Sequence, residues 1–253
     1  MIGVYFSGTG NTKYCIETFL NYLGCELPPV SIEDPELPGL LKKHTQIVFA
    51  YPIYFSSLPK IVHDFLVRNR QEFSGKKVFL LATMGLFSGD GAGCSARLLK
   101  RYGAEITGGL HLKMPDCIAD VKALKRSFEK NQQLIRLADQ KLERAARSWQ
   151  NGRPPQEGLG ILSHIAGLAG QRLWFYGKTR KYSDALKIDA SACTGCGLCV
   201  TSCPMGNLRL INHKSVSKGR CTMCYRCITN CPKQAVTLLG RRVIRQAKVE
   251  TYL

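Results

Sequence analysis

Eight of the twelve cysteines in this chain of 253 residues fall within a stretch of 39, in one spacing used twice. Cys193, Cys196, Cys199 and Cys203 lead into Pro204, and Cys221, Cys224, Cys227 and Cys231 lead into Pro232, so that both runs read C-x2-C-x2-C-x3-C-P. Three thiolates on a tight loop can reach three irons of one cubane, while a fourth ligand must approach it from the opposite side. Zinc is the competing chemistry, but zinc sites usually pair two C-x2-C hooks or add histidines, and no histidine set accompanies these runs. A chain this long can bury roughly three quarters of its unfolded surface, so it has no need of disulfide staples.

The two runs resemble the ligand runs of bacterial two-cluster ferredoxins, in which the fourth cysteine of each run serves the other cluster. The resemblance implies two [4Fe-4S] clusters, one held by Cys193, Cys196, Cys199 and Cys231, the other by Cys221, Cys224, Cys227 and Cys203. The sequences after the two prolines, MGNLRL and KQAVTL, also match. Residues 187–240 therefore read as a duplicated unit with pseudo-two-fold symmetry. Gly195 and Gly197 leave room for backbone amides to approach the sulfurs and tune the potential. Arg220 and Arg226 accompany the second run, Arg220 before it and Arg226 within it, and no charge lies inside the first, which predicts the higher potential for the second cluster.

A second chemical signal lies at the N-terminus. An apolar run over residues 1–6 leads into Ser7, Gly8, Thr9, Gly10, Asn11 and Thr12, followed by apolar residues at helical spacing. Two glycines and four short polar side chains at a helix N-terminus suit a phosphate monoester. The loop lacks both the Walker pattern and the third glycine of a dinucleotide fingerprint. Two later loops follow apolar runs in the same way: Pro52, Ile53, Tyr54 and Phe55 after Tyr51, and Met84, Gly85, Phe87, Gly89 and Asp90 after Thr83. Together the three loops, over about residues 1–150, resemble the phosphate loop and the two isoalloxazine loops of flavodoxins. That resemblance implies FMN, with Tyr54 stacking on the ring, amides near Gly85 and Gly89 bonding its pyrimidine edge, and Thr83 within the set. Residues 51–58 contain no glycine, so a peptide flip to positive φ beside the ring would cost more than in flavodoxins that have one. The whole chain resembles the flavodoxin–ferredoxin fusion proteins of anaerobic metabolism.

The elements that must position these groups can be read from periodicity. Apolar runs at Gln46–Tyr51 and Lys77–Thr83, a weaker one at Leu110–Lys113 and a short one within residues 27–32 alternate with amphipathic stretches. This predicts an α/β fold, a doubly wound parallel sheet of five strands with ligands at the strand carboxyl ends; the resemblances imply that this sheet is flavodoxin-like and is followed by a small α+β two-cluster ferredoxin domain. Steps of three and four from Val121 to Trp149 predict one helix of about 30 residues, its first half closing the first domain and its second half packing on the linker or the cluster unit. A coiled coil through this stripe would make a homodimer. The expected organisation is 1–150 for the FMN domain, 151–186 for a linker or docking segment, 187–240 for the cluster domain and 241–253 for a basic tail.

Thirty-six Lys and Arg against 18 Asp and Glu give a formal charge of +18. This bias favours acidic redox proteins such as a ferredoxin, a flavodoxin or an oxidoreductase as partners; nucleic acid is not expected. No apolar run is long enough to span a bilayer, although the oily stretch Gly158–Tyr176 could touch an anionic membrane surface. The N-terminus MIGVYFSGTG lacks the features of a signal peptide, which points to a cytoplasmic protein. The expected function is electron transfer between two clusters, FMN and a redox partner. The competing reading is an FMN-dependent reductase acting directly on a small substrate with the cluster unit as a wire. No catalytic acid is identifiable; Asp90 and His111 are candidates by location alone. Cys15, Cys25, Cys94 and Cys117 lack ligand spacing and read as packed thiols.

Overall fold

The computed structural model describes residues 1–55, 57–86, 89–160, 163, 165 and 181–253. Phe87, His164 and most of the Gly158–Tyr176 stretch lie outside them. β1 (Ile2–Tyr5), β2 (Val30–Ser31), β3 (Gln46–Pro52), β4 (Lys77–Met84) and β5 (Glu105–Lys113) form a parallel sheet in the order β2-β1-β3-β4-β5. This is the doubly wound five-stranded sheet that the periodicity predicts, and it is flavodoxin-like, as the resemblance of the three loops implies.

The central strands are almost continuously apolar because helices cover both faces. Ile47, Phe49, Tyr51, Leu80 and Ala82 point to one side, where α3 (Lys60–Arg68) and α4 (Gly91–Arg101) bury Val62, Leu66 and Leu99. Val48, Ala50, Phe79, Leu81 and Leu110 point to the other, against α1 (Asn11–Tyr22) and α5 (Phe128–Gln150). α2 (Leu37–Lys42) adds Leu37 and Leu41 to the first layer.

The structure corrects the expectation of one helix from Val121. α5 begins at Phe128, with the Ser127 side chain accepting the Lys130 amide at 3.3 Å as its N-cap. Residues 122–124 form a separate 3-10 turn. The whole of α5 stays with the first domain: Ile135, Leu142 and Ala146 are buried, and Trp149 packs on Phe79 with ring centroids 4.6 Å apart. The stripe expected to serve a coiled coil or the cluster unit is thus used inside the sheet domain.

The C-terminal unit is small. β6 (Lys187–Ile188) pairs antiparallel with β9 (Val236–Thr237), and β7 (Leu208–Ile211) forms a hairpin with β8 (Lys214–Ser217). Two short helices, α6 (Leu198–Thr201) and α7 (Arg226–Asn230), carry the third cysteine of each run, Cys199 and Cys227. The core of this unit includes Leu186, Leu208, Tyr225, Ile228, Val236 and Leu238, together with Ala119 from the first domain. Residues 241–253 do not hang free as a basic tail. Val243, Ala247, Val249 and Tyr252 are buried, and the Val249 amide donates to the Thr9 carbonyl at 3.1 Å.

Candidate functional site

The loops at the carboxyl ends of β1, β3 and β4 meet at one cavity of about 380 Å³. It lies where the strand order reverses, between β1 and β3, the expected position for a ligand in a doubly wound sheet. Ser7, Gly8, Thr9, Asn11, Thr12, Pro52, Ile53, Tyr54, Phe55, Thr83, Met84 and Gly85 all line it. Asn11 and Thr12 open α1, so that backbone amides and the helix dipole face the β1 end of the cavity. Thr12 and Thr83 share a hydroxyl hydrogen bond of 2.8 Å between these loops. Desolvation and then the neighbouring Cys117 and Cys224 thiols raise the Tyr54 phenol well above its ordinary pKa, with Arg226 opposing.

Three residues expected at this site do not line the cavity. Gly10 turns its amide to Ser7 Oγ at 3.1 Å. Gly89 lies outside the lining, and Asp90 is fully buried with its carboxylate 2.6 Å from Arg97. His111 is also elsewhere: its Nε2 accepts the Ala92 amide at 3.1 Å at the start of α4. Neither Asp90 nor His111 is placed to act on a ligand in the cavity.

Half of the cavity wall comes from residues that spacing could not single out. After β5 the segment Met114–Leu124 folds across the opening and contributes Asp116, Cys117, Ile118, Val121 and Leu124. Burial pushes the Cys117 thiol up to about 12, in keeping with a packed thiol. The cluster unit supplies Met223, Tyr225, Leu238 and Leu239. One polar atom of this lining lacks a partner among the described residues: Asn11 donates through Nδ2 to the Pro115 carbonyl at 2.8 Å, leaving its Oδ1 buried without a donor. A ligand hydroxyl would satisfy it, and the ribityl chain of FMN carries such donors.

The eight cysteines of the paired runs line two further cavities. Cys193, Cys196, Cys199 and Cys231 surround one; Cys221, Cys224, Cys227 and Cys203 surround the other. The last cysteine of each run has therefore crossed to the other set. Matching amides point at these crossing sulfurs, Asn207 N–H to Cys203 Sγ and Ala235 N–H to Cys231 Sγ, each at 3.3 Å. The equivalent offset of four residues expresses the internal duplication at atomic level. Amides of Ser215 and Gly195 draw the Cys193 thiol below its ordinary pKa. Gly195 has φ +72, and a side chain there would strike the His213 carbonyl of the β7–β8 hairpin.

The second cysteine loop is built into the first domain. A Cβ on Gly8 would fall on the Cys224 carbonyl oxygen, so the phosphate-loop candidate and the cysteine loop touch backbone to backbone. Arg226 closes the seam: both guanidinium ends grip Glu33, at 2.7 and 2.6 Å, while Nη2 also donates to the Ser7 carbonyl at 2.8 Å. Its charge is neutralised by that partner, which removes one basis for expecting the higher potential at the second run. Asp120, from the segment after β5, accepts the Tyr225 hydroxyl at 2.9 Å through Oδ1 and the Leu238, Leu239 and Gly240 amides at 2.6–3.0 Å through Oδ2.

A flavodoxin-domain family model matches residues 2–106, and a 4Fe-4S dicluster-domain model matches residues 185–232. The chain thus joins a flavodoxin domain to a 4Fe-4S domain, an arrangement for electron transfer with FMN and iron–sulfur. Solved structures similar to part of it include two-electron reduced flavodoxin from Megasphaera elsdenii, with 21% identity over 58% of this chain and 99% of that one, at a TM-score of 0.41. Flavodoxin 2 from Bacillus cereus has 17% identity over 60% and 97% of the two chains, with a TM-score of 0.43. The FMN-bound flavodoxin of Fusobacterium nucleatum has 12% identity over 60% and 98%, with a TM-score of 0.39. No curated protein matches the chain. Among the described residues no helix is long and apolar enough to cross a membrane.

Proposed function

We propose that this chain carries electrons between a one-electron protein partner and FMN through two [4Fe-4S] clusters, converting between one-electron and two-electron chemistry. The observation that carries the reading is the shared wall: Met223 and Tyr225, which flank Cys224, line both the nucleotide-sized cavity and the second four-cysteine cavity. Ser7, Gly8, Thr9 and Thr12 would receive the phosphate, Asn11 a ribityl hydroxyl, and Tyr54, Met84 and Gly85 the ring. FMN, when bound, supplies the two-electron store. The chain's own residues hold the ring against the cysteine loop and exclude water through Met114–Leu124 and Leu238–Leu239.

The test is rapid mixing of the anaerobic holoprotein with a reduced one-electron carrier. Flavin reduction should follow cluster reduction at a rate independent of protein concentration once mixing is complete. A flavin rate rising in proportion to protein concentration would mean transfer between molecules and would defeat the reading.

A further inference from the structure

The two four-cysteine sites are not equivalent in the fold. Cys224 and Tyr225 are buried against the first domain, the Thr222 hydroxyl is buried facing the Ile61 amide at 3.4 Å, and the Cys224 carbonyl rests on Gly8. The other site faces outward. Cys196 and Thr194 are exposed, and Leu198 and Leu210, which line the same cavity, are 49% and 42% exposed. Two apolar side chains beside a thiolate site form a desolvating patch of the kind found at the centre of transient interfaces.

Charge defines the partner. Residues 187–240 contain seven Lys and Arg and a single carboxylate, Asp189. Asp189 Oδ1 is held by its own turn, accepting from the Ser191 amide and hydroxyl at 2.9 and 2.5 Å. Arg226, the basic residue at the domain seam, is paired with Glu33. On the outward side Lys233 lines the first cavity and is exposed, and Lys214 donates to the Cys193 carbonyl at 2.6 Å.

We propose that the face formed by Cys196, Leu198, Leu210, Lys214 and Lys233 is the docking surface for a one-electron carrier protein with an acidic rim around an apolar centre. The inference rests on the two-cluster reading above and assigns the two sites their order. With clusters and FMN bound, a docked reduced carrier would give one electron to the cluster held by Cys193, Cys196, Cys199 and Cys231, and that electron would reach the flavin by way of the cluster held by Cys221, Cys224, Cys227 and Cys203. Two carriers are oxidised per flavin fully reduced, and solvent supplies the two protons.

The test uses an acidic ferredoxin as probe and the full-length holoprotein, with both proteins oxidised so that no electron moves and only binding is read. Binding by the wild type should weaken steeply with added salt, and Lys233→Glu and Leu198→Glu should each weaken it about tenfold or more. Arg241→Glu/Arg242→Glu, on the exposed C-terminal segment, should leave it within about twofold. Iron and FMN content are measured on every variant. Loss of binding in Arg241→Glu/Arg242→Glu with Lys233→Glu unchanged would overturn the proposal, as would a wild-type homodimer that Leu198→Glu dissociates, because a second copy would then cover the face. Four irons per chain would instead defeat the two-cluster reading itself, whereas eight irons with FMN and unchanged binding in both variants would defeat the docking surface alone.

Discussion

Single residues decide whether the two halves of this chain meet. Gly8 has a role that a phosphate-loop reading alone does not give, since its missing side chain admits the Cys224 carbonyl. Gly8→Ala should therefore force the cysteine loop off the flavodoxin domain, costing about 1–3 kcal/mol, with FMN retention on gel filtration falling alongside the melting temperature. Arg226 acts through geometry as well as charge. Lysine cannot span both Glu33 oxygens and the Ser7 carbonyl, so Arg226→Lys should lose about 1–3 kcal/mol despite keeping the charge; a double-mutant cycle with Glu33→Gln measures the coupling. His111 supplies a pH signature. Burial holds its pKa below the ordinary 6.5, against Glu157. Its folded pKa is depressed, so its stabilising contribution is complete above about pH 6.5 and is lost as the pH falls from there through the folded pKa. NMR titration should show its imidazole protonating below 6.5, and His111→Gln should flatten that limb of the stability curve. The ligand cysteines were legible because their chemistry imposes local spacing. Arg226 was legible only as a charge beside the second run, and Asp120 not at all, because their partners lie more than 100 positions away in sequence.

At the scale of elements, β1, β3 and β4 were legible because strands buried on both faces must be apolar throughout. β5 was only partly so, since Thr107, Gly108 and Gly109 weaken its strand pattern, and Gly108 is where the Pro155 carbonyl approaches. The stretch from Val121 misled for a different reason. Val121 and Leu124 keep the step of α5, but they line the cavity at the strand ends, and the chain turns at Ser127 before the helix starts. Apolar spacing reports burial without naming the surface that buries it. The segment Met114–Leu124 is consequently the element that joins cavity, sheet and cluster unit, and Asp120 anchors it. Asp120→Ala would leave three amides and a tyrosine hydroxyl unpaired in a buried seam. A loss of about 3 kcal/mol or more is expected, seen as a lowered melting temperature with early release of iron and FMN.

The whole molecule is organised around contact between the strand-end cavity and the paired cysteine sets. Three strand-end loops make the cavity on one side, two reciprocal cysteine sets sit on the other, and the loop Cys221–Cys227 lies at the junction. The C-terminal segment expected as a basic tail packs Val249 and Tyr252 into the first domain while Arg241 and Arg242 stay exposed, and the exposed Lys233 lines the outward cysteine site. The measurement that tests this account most directly is the FMN, iron and inorganic sulfide content of the chain purified without oxygen. The account predicts about one FMN, eight irons and eight sulfides per chain. Four irons, zinc in place of iron, or eight irons with no flavin would contradict it.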